Sequence, residues 1–187
     1  MNKYLYTING NGILSLQHEV IPQGLMPAWL QRVGLQFSIN NDLQKVEWYG
    51  RGPHENYPDR KTGAKIGIYE STINSLKENY LVPQDYGLRT DNRWLKMETE
   101  NGIGIEISGD KLFNFNAYPY STDHLTRARY PYQLMTNGTT TLNIDYATSG
   151  VGCTAISVLN QYRVLPGVYH FNLQLKPYKR EFKLKQK

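Results

Sequence analysis

The fifteen residues Trp94-Leu95-Lys96-Met97-Glu98-Thr99-Glu100-Asn101-Gly102-Ile103-Gly104-Ile105-Glu106-Ile107-Ser108 decide the fold. Both residues of an Asn-Gly pair tolerate φ > 0, so the pair between two β-rich runs is the strongest short-range signal for a hairpin. After the turn, Ile103, Ile105 and Ile107 alternate with small or polar neighbours, as one buried face of a sheet requires. Asn9-Gly10 and Asn137-Gly138 punctuate similar runs.

Working outward, strands are predicted over Tyr4 to Ile8, Ile13 to Val20, Arg32 to Ile39, Leu43 to Tyr49, Leu112 to Ala117, Thr139 to Tyr146 and Val168 to Lys176. Helical spacing is confined to Ser121 to Arg129, where Ser121 or Thr122 is the candidate cap and Leu125 and Ala128 the core-facing pair. The class that follows is all-β and antiparallel, a β-sandwich built as one domain over residues 1–178 with a basic tail at 179–187.

Composition removes several alternatives. With 40% hydrophobic and 20% charged residues in 187, the chain is too apolar for disorder, and it has no apolar run of the ~18 residues a membrane helix needs. A single cysteine, Cys153, closes no internal disulfide; with no histidine nearby it is expected as a buried, inert thiol. No pair of Cys and His has zinc spacing, so no metal site is expected. The net charge of +5 is matched by the six cations and one acid from Lys176 onward, which argues against a phosphate-binding groove on the folded surface. No nucleic-acid or membrane partner is expected. The first residues, Met1 to Ile8, carry one cation and no apolar core, so the chain as given is not addressed for export.

Two stretches do not read as strands, Gly50 to Gly63 and Pro83 to Arg93, and loops of that length inside a domain are usually functional or held by their own contacts. The first holds Arg51, His54, Glu55, Asp59 and Arg60; the second holds Asp85, Arg89, Asp91 and Arg93. One reading makes Glu55 and Asp59 a general acid and its partner. The other is an Arg/carboxylate network that fixes the loops. It is favoured because adjacent guanidinium groups lower carboxylate pKa values and so spoil a general acid. The four histidines form no metal pair or nucleophile arrangement. The fifteen tyrosines, five phenylalanines and three tryptophans suit either strands and cores or a sugar-binding surface.

The first loop with its leading strand, Trp48-Tyr49-Gly50-Arg51-Gly52-Pro53-His54-Glu55-Asn56-Tyr57-Pro58-Asp59-Arg60, resembles the W-x-G-x-G-P-x-E-N-Y-P-D-R signature of the C-terminal domain of bacterial β-galactosidases, family-two glycoside hydrolases. Four further stretches agree in order. Met26-Pro27 through Leu35 is similar to that domain's preceding strand, and Pro83 to Trp94 to its P-Q-E-N/Y-G-x-R-T-D-x-R-W segment. Tyr120 to Leu125 resembles its Y-S-x-x-x-L turn, and Asn143 to Gly152 its N-x-D-x-x-x-x-G-x-G end. The match runs from about Met26 to Tyr178.

The resemblance implies an antiparallel supersandwich akin to the galactose-mutarotase fold, here a shortened copy. It implies no catalytic residue in this chain. The two glutamates of a retaining hydrolase, ~5 Å apart across the bond, lie in a (β/α)₈ barrel that the chain does not encode. No cofactor is implied here, with Mg and Na left to other domains of the parent enzyme. The implied partners are the catalytic barrel, the parent's other domains and a galactoside at the shared rim. The implied substrate-adjacent loop is Cys153, Thr154, Ala155, Ile156 and Ser157, where the family's G-x-G-G-D-D-S-W has lost its Asp-Asp and Trp. A stand-alone carbohydrate-binding module is the second reading. An epimerase using His124 or His170 with Glu55 is the third.

Overall fold

The computed structural model describes residues 1–136, 138–153 and 156–180. Nine strands run β1 (Asn2–Ile8), β2 (Leu14–Val20), β3 (Arg32–Asn40), β4 (Lys45–Gly52), β5 (Lys65–Thr72), β6 (Arg89–Glu98), β7 (Ile103–Tyr118), β8 (Thr139–Thr148) and β9 (Tyr169–Lys179). One α-helix among the described residues, α1 (Thr122–Arg127), follows β7. The strands form one antiparallel sheet in the order β1-β2-β9-β7-β6-β4-β5, with β8 joining β7 and β3 joining β8.

The sixteen-residue strand β7 makes the architecture. Its first half, Ile103 to Gly109, pairs with β9, and its second half, Asn114 to Tyr118, pairs with β8. The sheet therefore branches at β7, and the branches share one core. Leu16 of β2 and Phe171 and Leu173 of β9 join Leu142 and Ile144 of β8, with Trp48, Leu95, Met97, Phe113 and Phe115 between them. This is the β-sandwich logic of two faces closing on one apolar layer.

The hairpins form, with different turns from those expected. In the β6–β7 turn Thr99 and Ile103 close a three-residue loop, the Gly102 N–H donates to the Thr99 carbonyl at 3.0 Å, and Gly102 has φ 75°. The same arrangement joins β1 to β2, with Gly12 N–H donating to Asn9 O at 3.0 Å and φ 76° at Gly12. The pair that turns the chain is thus Asn11-Gly12 rather than Asn9-Gly10, because a three-residue loop needs its left-handed glycine last. Asn137 of the third pair lies outside the described residues. Of the alternating isoleucines, Ile107 is buried and Ile103 is exposed.

Three elements depart from the sequence expectation. Strand β5 was not expected: its Ile66 and Ile68 face solvent, while Gly67, Tyr69 and Ser71 face inward. Strand β6 begins at Arg89, inside the second loop. Strand β9 runs on to Lys179, which pairs with Ile103, and Arg180 meets Glu98 at 2.9 Å; the rest of the expected tail, 181–187, lies outside the described residues. In α1 the cap is Ser121, whose Oγ accepts the His124 N–H at 3.2 Å, and Leu125 and Ala128 are buried.

Candidate functional site

The two loops meet at the β4–β6 end of the sheet. Trp48, buried in the core, donates its indole N–H to the Arg51 carbonyl at 3.0 Å and so fixes where β4 leaves the sheet. Beyond it, the buried Asn56 ties the loops together. Its Oδ1 accepts the Thr90 N–H at 3.1 Å and the Thr90 hydroxyl at 2.5 Å, while its own N–H donates to Leu88 O at 2.8 Å. A Cβ on Gly50 would overlap Asn92, so only glycine lets β4 and β6 approach this closely.

Glu55 is buried with its acceptor positions engaged. Oε1 accepts from Arg60 and from the Tyr80 hydroxyl; Oε2 accepts the Gly87 N–H at 2.9 Å and faces the Tyr57 hydroxyl at 3.4 Å. Arg89, also buried, donates to Gly87 O at 2.7 Å and Pro53 O at 3.0 Å and lies over the Trp48 ring. These bonds satisfy the Glu55 carboxylate and the two terminal nitrogens of Arg89, groups that would be expensive to bury alone.

Asp91 sits in a bulge of β6 with φ 60°, an unusual conformation for a residue other than glycine. The bulge aims its carboxylate at Arg51, 2.6 Å away, and Lys61, 2.7 Å away. Burial alone would raise the Asp91 pKa, but the bonds and charges of Lys61 and Arg51 prevail and hold it below the ordinary value. Arg93 donates to the Asp91 carbonyl at 2.8 Å and stacks over Tyr49.

Asp59 has a different role from the other loop carboxylates. Its two oxygens accept the backbone N–H groups of Val151, at 3.1 Å, and Gly152, at 2.8 Å. A Cβ on Gly150 would overlap this carboxylate. Asp59 therefore sets the start of the 153–157 loop. Cys153 is exposed, a correction to the buried thiol expected: the chain leaves the core after Gly150, and the Cys153 N–H donates to Ile156 O at 3.0 Å. Thr154 and Ala155 lie outside the described residues. Ser157 Oγ is 3.5 Å from Arg163.

Two residues that the sequence reading passed over complete the corner. Asp145, fully buried on β8, holds Arg32 at 2.8 Å, and Arg32 also reaches Asp85 at 3.4 Å. Burial pushes the Asp145 carboxyl up to about 7 against the pull of Arg32. Asp85 in turn accepts from Asn116 Nδ2 at 2.7 Å. The signal in the sequence is the alternation Leu142-Asn143-Ile144-Asp145, in which all four residues are buried because β8 is covered on both faces. Above this pair opens a cleft of 340 Å³ lined by Arg32, Tyr57, Asp85, Thr122, Gly150 and Val151 among others. Each of these six comes from one of the five stretches that carry the resemblance.

Three of the four histidines are elsewhere, while His54 lies in the first loop, where its carbonyl accepts from Asn56 Nδ2 at 3.1 Å. His170 Nδ1 lies 3.6 Å from Glu19, His124 Nδ1 lies 3.1 Å from the Met135 carbonyl, and His18 Nδ1 lies 2.6 Å from the Tyr146 hydroxyl. Among the described residues no group of three or more His, Cys, Asp and Glu side chains is placed to hold a metal ion.

Fold and corner together define a class: an antiparallel β-domain whose densest polar chemistry anchors loops around an open cleft. The family described as β-galactosidase small chain matches residues 1–175, and the chain belongs to it. The chain is similar to the β-galactosidase of Priestia megaterium, 35% identical over 79% of this chain and 14% of the relative. Similar matches are the β-galactosidases of Pseudoalteromonas haloplanktis, 36% identical over 80% of this chain and 14% of the relative, and of Aeromonas hydrophila, 32% identical over 94% and 17%. The chain thus spans 14–17% of the length of these curated relatives.

Proposed function

We propose that the chain is a non-catalytic domain of a larger β-galactosidase, shaping the rim of an active site that another part of the enzyme supplies and stabilising the assembly for hydrolysis of terminal β-galactosides. The observation that carries this is Asp59 bonding the backbone of Val151 and Gly152. It couples the signature loop to the two residues that lead into the segment the family resemblance puts beside substrate. Glu55 and Asp59 act as fixed acceptors here, and the catalytic carboxylates come from the parent's barrel. The galactoside meets the domain at the 153–157 loop, and the cleft beside Arg32 gives that rim its depth.

The test is a chimaera in which this chain replaces the matching segment of the Priestia megaterium enzyme. Hydrolysis of a nitrophenyl galactoside by the chimaera, and none by the isolated chain, is the expected result. Cleavage by the isolated chain, purified free of other hydrolases, overturns the proposal, as does a correctly assembled chimaera with no activity.

A further inference from the structure

A largely apolar pocket of 250 Å³ lies between the second loop and α1, lined by Leu81, Pro83, Tyr86, Leu125, Pro131 and Leu134 together with polar residues of 77–84. Its surroundings are unusually apolar for a free surface. Leu81 is 90% exposed and Tyr132 80%, and Val82, Tyr130 and Met135, each next in chain to a lining residue, are exposed as well. Tyr130 and Tyr132 stack with ring centroids 5.5 Å apart and planes 7° apart. The slab is built in advance: Gln133 Oε1 accepts the N–H groups of both Arg129 and Tyr130, closing the turn that presents the rings. Exposed tyrosine, leucine and methionine gathered around an apolar pocket is the composition of a protein interface.

We infer that this pocket seats a large apolar side chain from the remainder of the parent β-galactosidase, making this face an interdomain contact. The inference rests on the reading of the chain as one domain of that enzyme. The occupant is polypeptide because the chain spans 14–17% of its relatives, so most of such an enzyme lies outside it. The position is also continuous with the proposed rim. Pro83, Gln84 and Leu125 line this pocket and a neighbouring depression, which shares Asp85 and Thr122 with the cleft beside Arg32. A contact here brings the cleft to the joint between domains. The exposed apolar side chains of β1 offer no equivalent, since the hollow beside Tyr4 and Leu5 is lined by Lys3, Glu19 and His170.

Amide exchange in the isolated chain and in the chimaera tests this. Residues 77–84 and 130–135 are expected to exchange about tenfold more slowly or slower still in the chimaera, as a covered surface does. The double variant Leu81→Lys, Tyr132→Lys is expected to lower galactoside hydrolysis by the chimaera about tenfold or more while leaving the melting temperature of the isolated chain unchanged, both side chains being exposed. Leu112→Lys, on the exposed part of β7, is the control and leaves both unchanged. Equal exchange of these residues in an assembled, active chimaera overturns the inference and leaves the proposed function standing. Slowing that arises only on adding lactose overturns it in favour of a sugar in the pocket. An inactive but assembled unsubstituted chimaera overturns the proposed function, and the inference with it.

Discussion

At the β4–β6 end, Glu55, Asn56, Arg89, Thr90 and Asn92 are buried, and each makes bonds to residues of the other loop or strand. On the opposite wing all seven residues of β1 are exposed. That strand is held by its ladder to β2, the Lys3–Glu19 pair and the Tyr4 ring stacked on His18. Regular backbone pairing suffices for a strand, whereas loops without a ladder need side chains to satisfy their backbone groups. The difference teaches where substitution should matter. Polar residues decide stability at the corner, and the apolar ones of β1 barely touch it.

The sharpest way to break the comparison is Glu55→Ala. It strands the Gly87 N–H and the Tyr80 hydroxyl and leaves Arg60 without its carboxylate, a loss expected to lower unfolding free energy by about 3 kcal/mol. Urea unfolding measures it. A change under about 1 kcal/mol would mean the corner is no more cooperative than the wing.

Next in size is a pH effect at Asp145. Its carboxyl is raised from the ordinary 3.8 to about 7 by burial, so the folded state binds a proton that the unfolded state has released. This stabilisation is complete below about pH 4 and is lost as pH rises through about 7. Asp145→Asn should flatten that fall in an unfolding series from pH 4 to 8. An unchanged slope would place the proton elsewhere.

These two residues also mark what the sequence could tell. Hairpin turns are local, so the β6–β7 turn was legible from Asn101-Gly102, though its loop length was not, because the choice between two and three residues lies in the register of the whole strands. Strand β5 escaped because its two isoleucines point outward and its glycine inward, which inverts the usual burial signal. Residues 89–93 looked like loop because they are polar. Their partners Asn56, Pro53 and Asn114 lie more than twenty residues away, and no local pattern announces such bonds. The charged members of the corner were visible as types within two loops. The pairing of Arg32 with Asp145 depends on β3 lying beside β8, and the separate duty of Asp59 on where the chain leaves β8, long-range placements that no local pattern announces.

Asp59→Ala probes that separate duty. Two backbone bonds to an ionised acceptor at a surface-facing loop are worth about 1–2 kcal/mol, less than Glu55 because Val151 and Gly152 are exposed. The expected result is a modest loss of stability with a larger relative loss of hydrolysis in the chimaera. Equal hydrolysis with and without Asp59 would detach the loop from the rim.

The smallest effect belongs to Tyr4→Ala, and it sharpens the comparison from the wing. Tyr4 is 45% exposed, and its ring stacks on His18 at 4.4 Å. Removing it uncovers a half-exposed surface ring and leaves the β1–β2 ladder intact, so the stability change should stay below about 1 kcal/mol. The informative readout is His18 itself. Burial holds its pKa below 6.5, which means the neutral ring is favoured in the fold and its stabilisation is lost as pH falls through that lowered value. With the covering ring gone, water reaches His18 and its pKa should climb back toward 6.5, narrowing the acid-side loss. An NMR titration of His18 in both forms measures the shift. If the pKa does not move, the burial of His18 comes from Tyr146 and its neighbour on β9, Phe171, and Tyr4 adds no cover of its own.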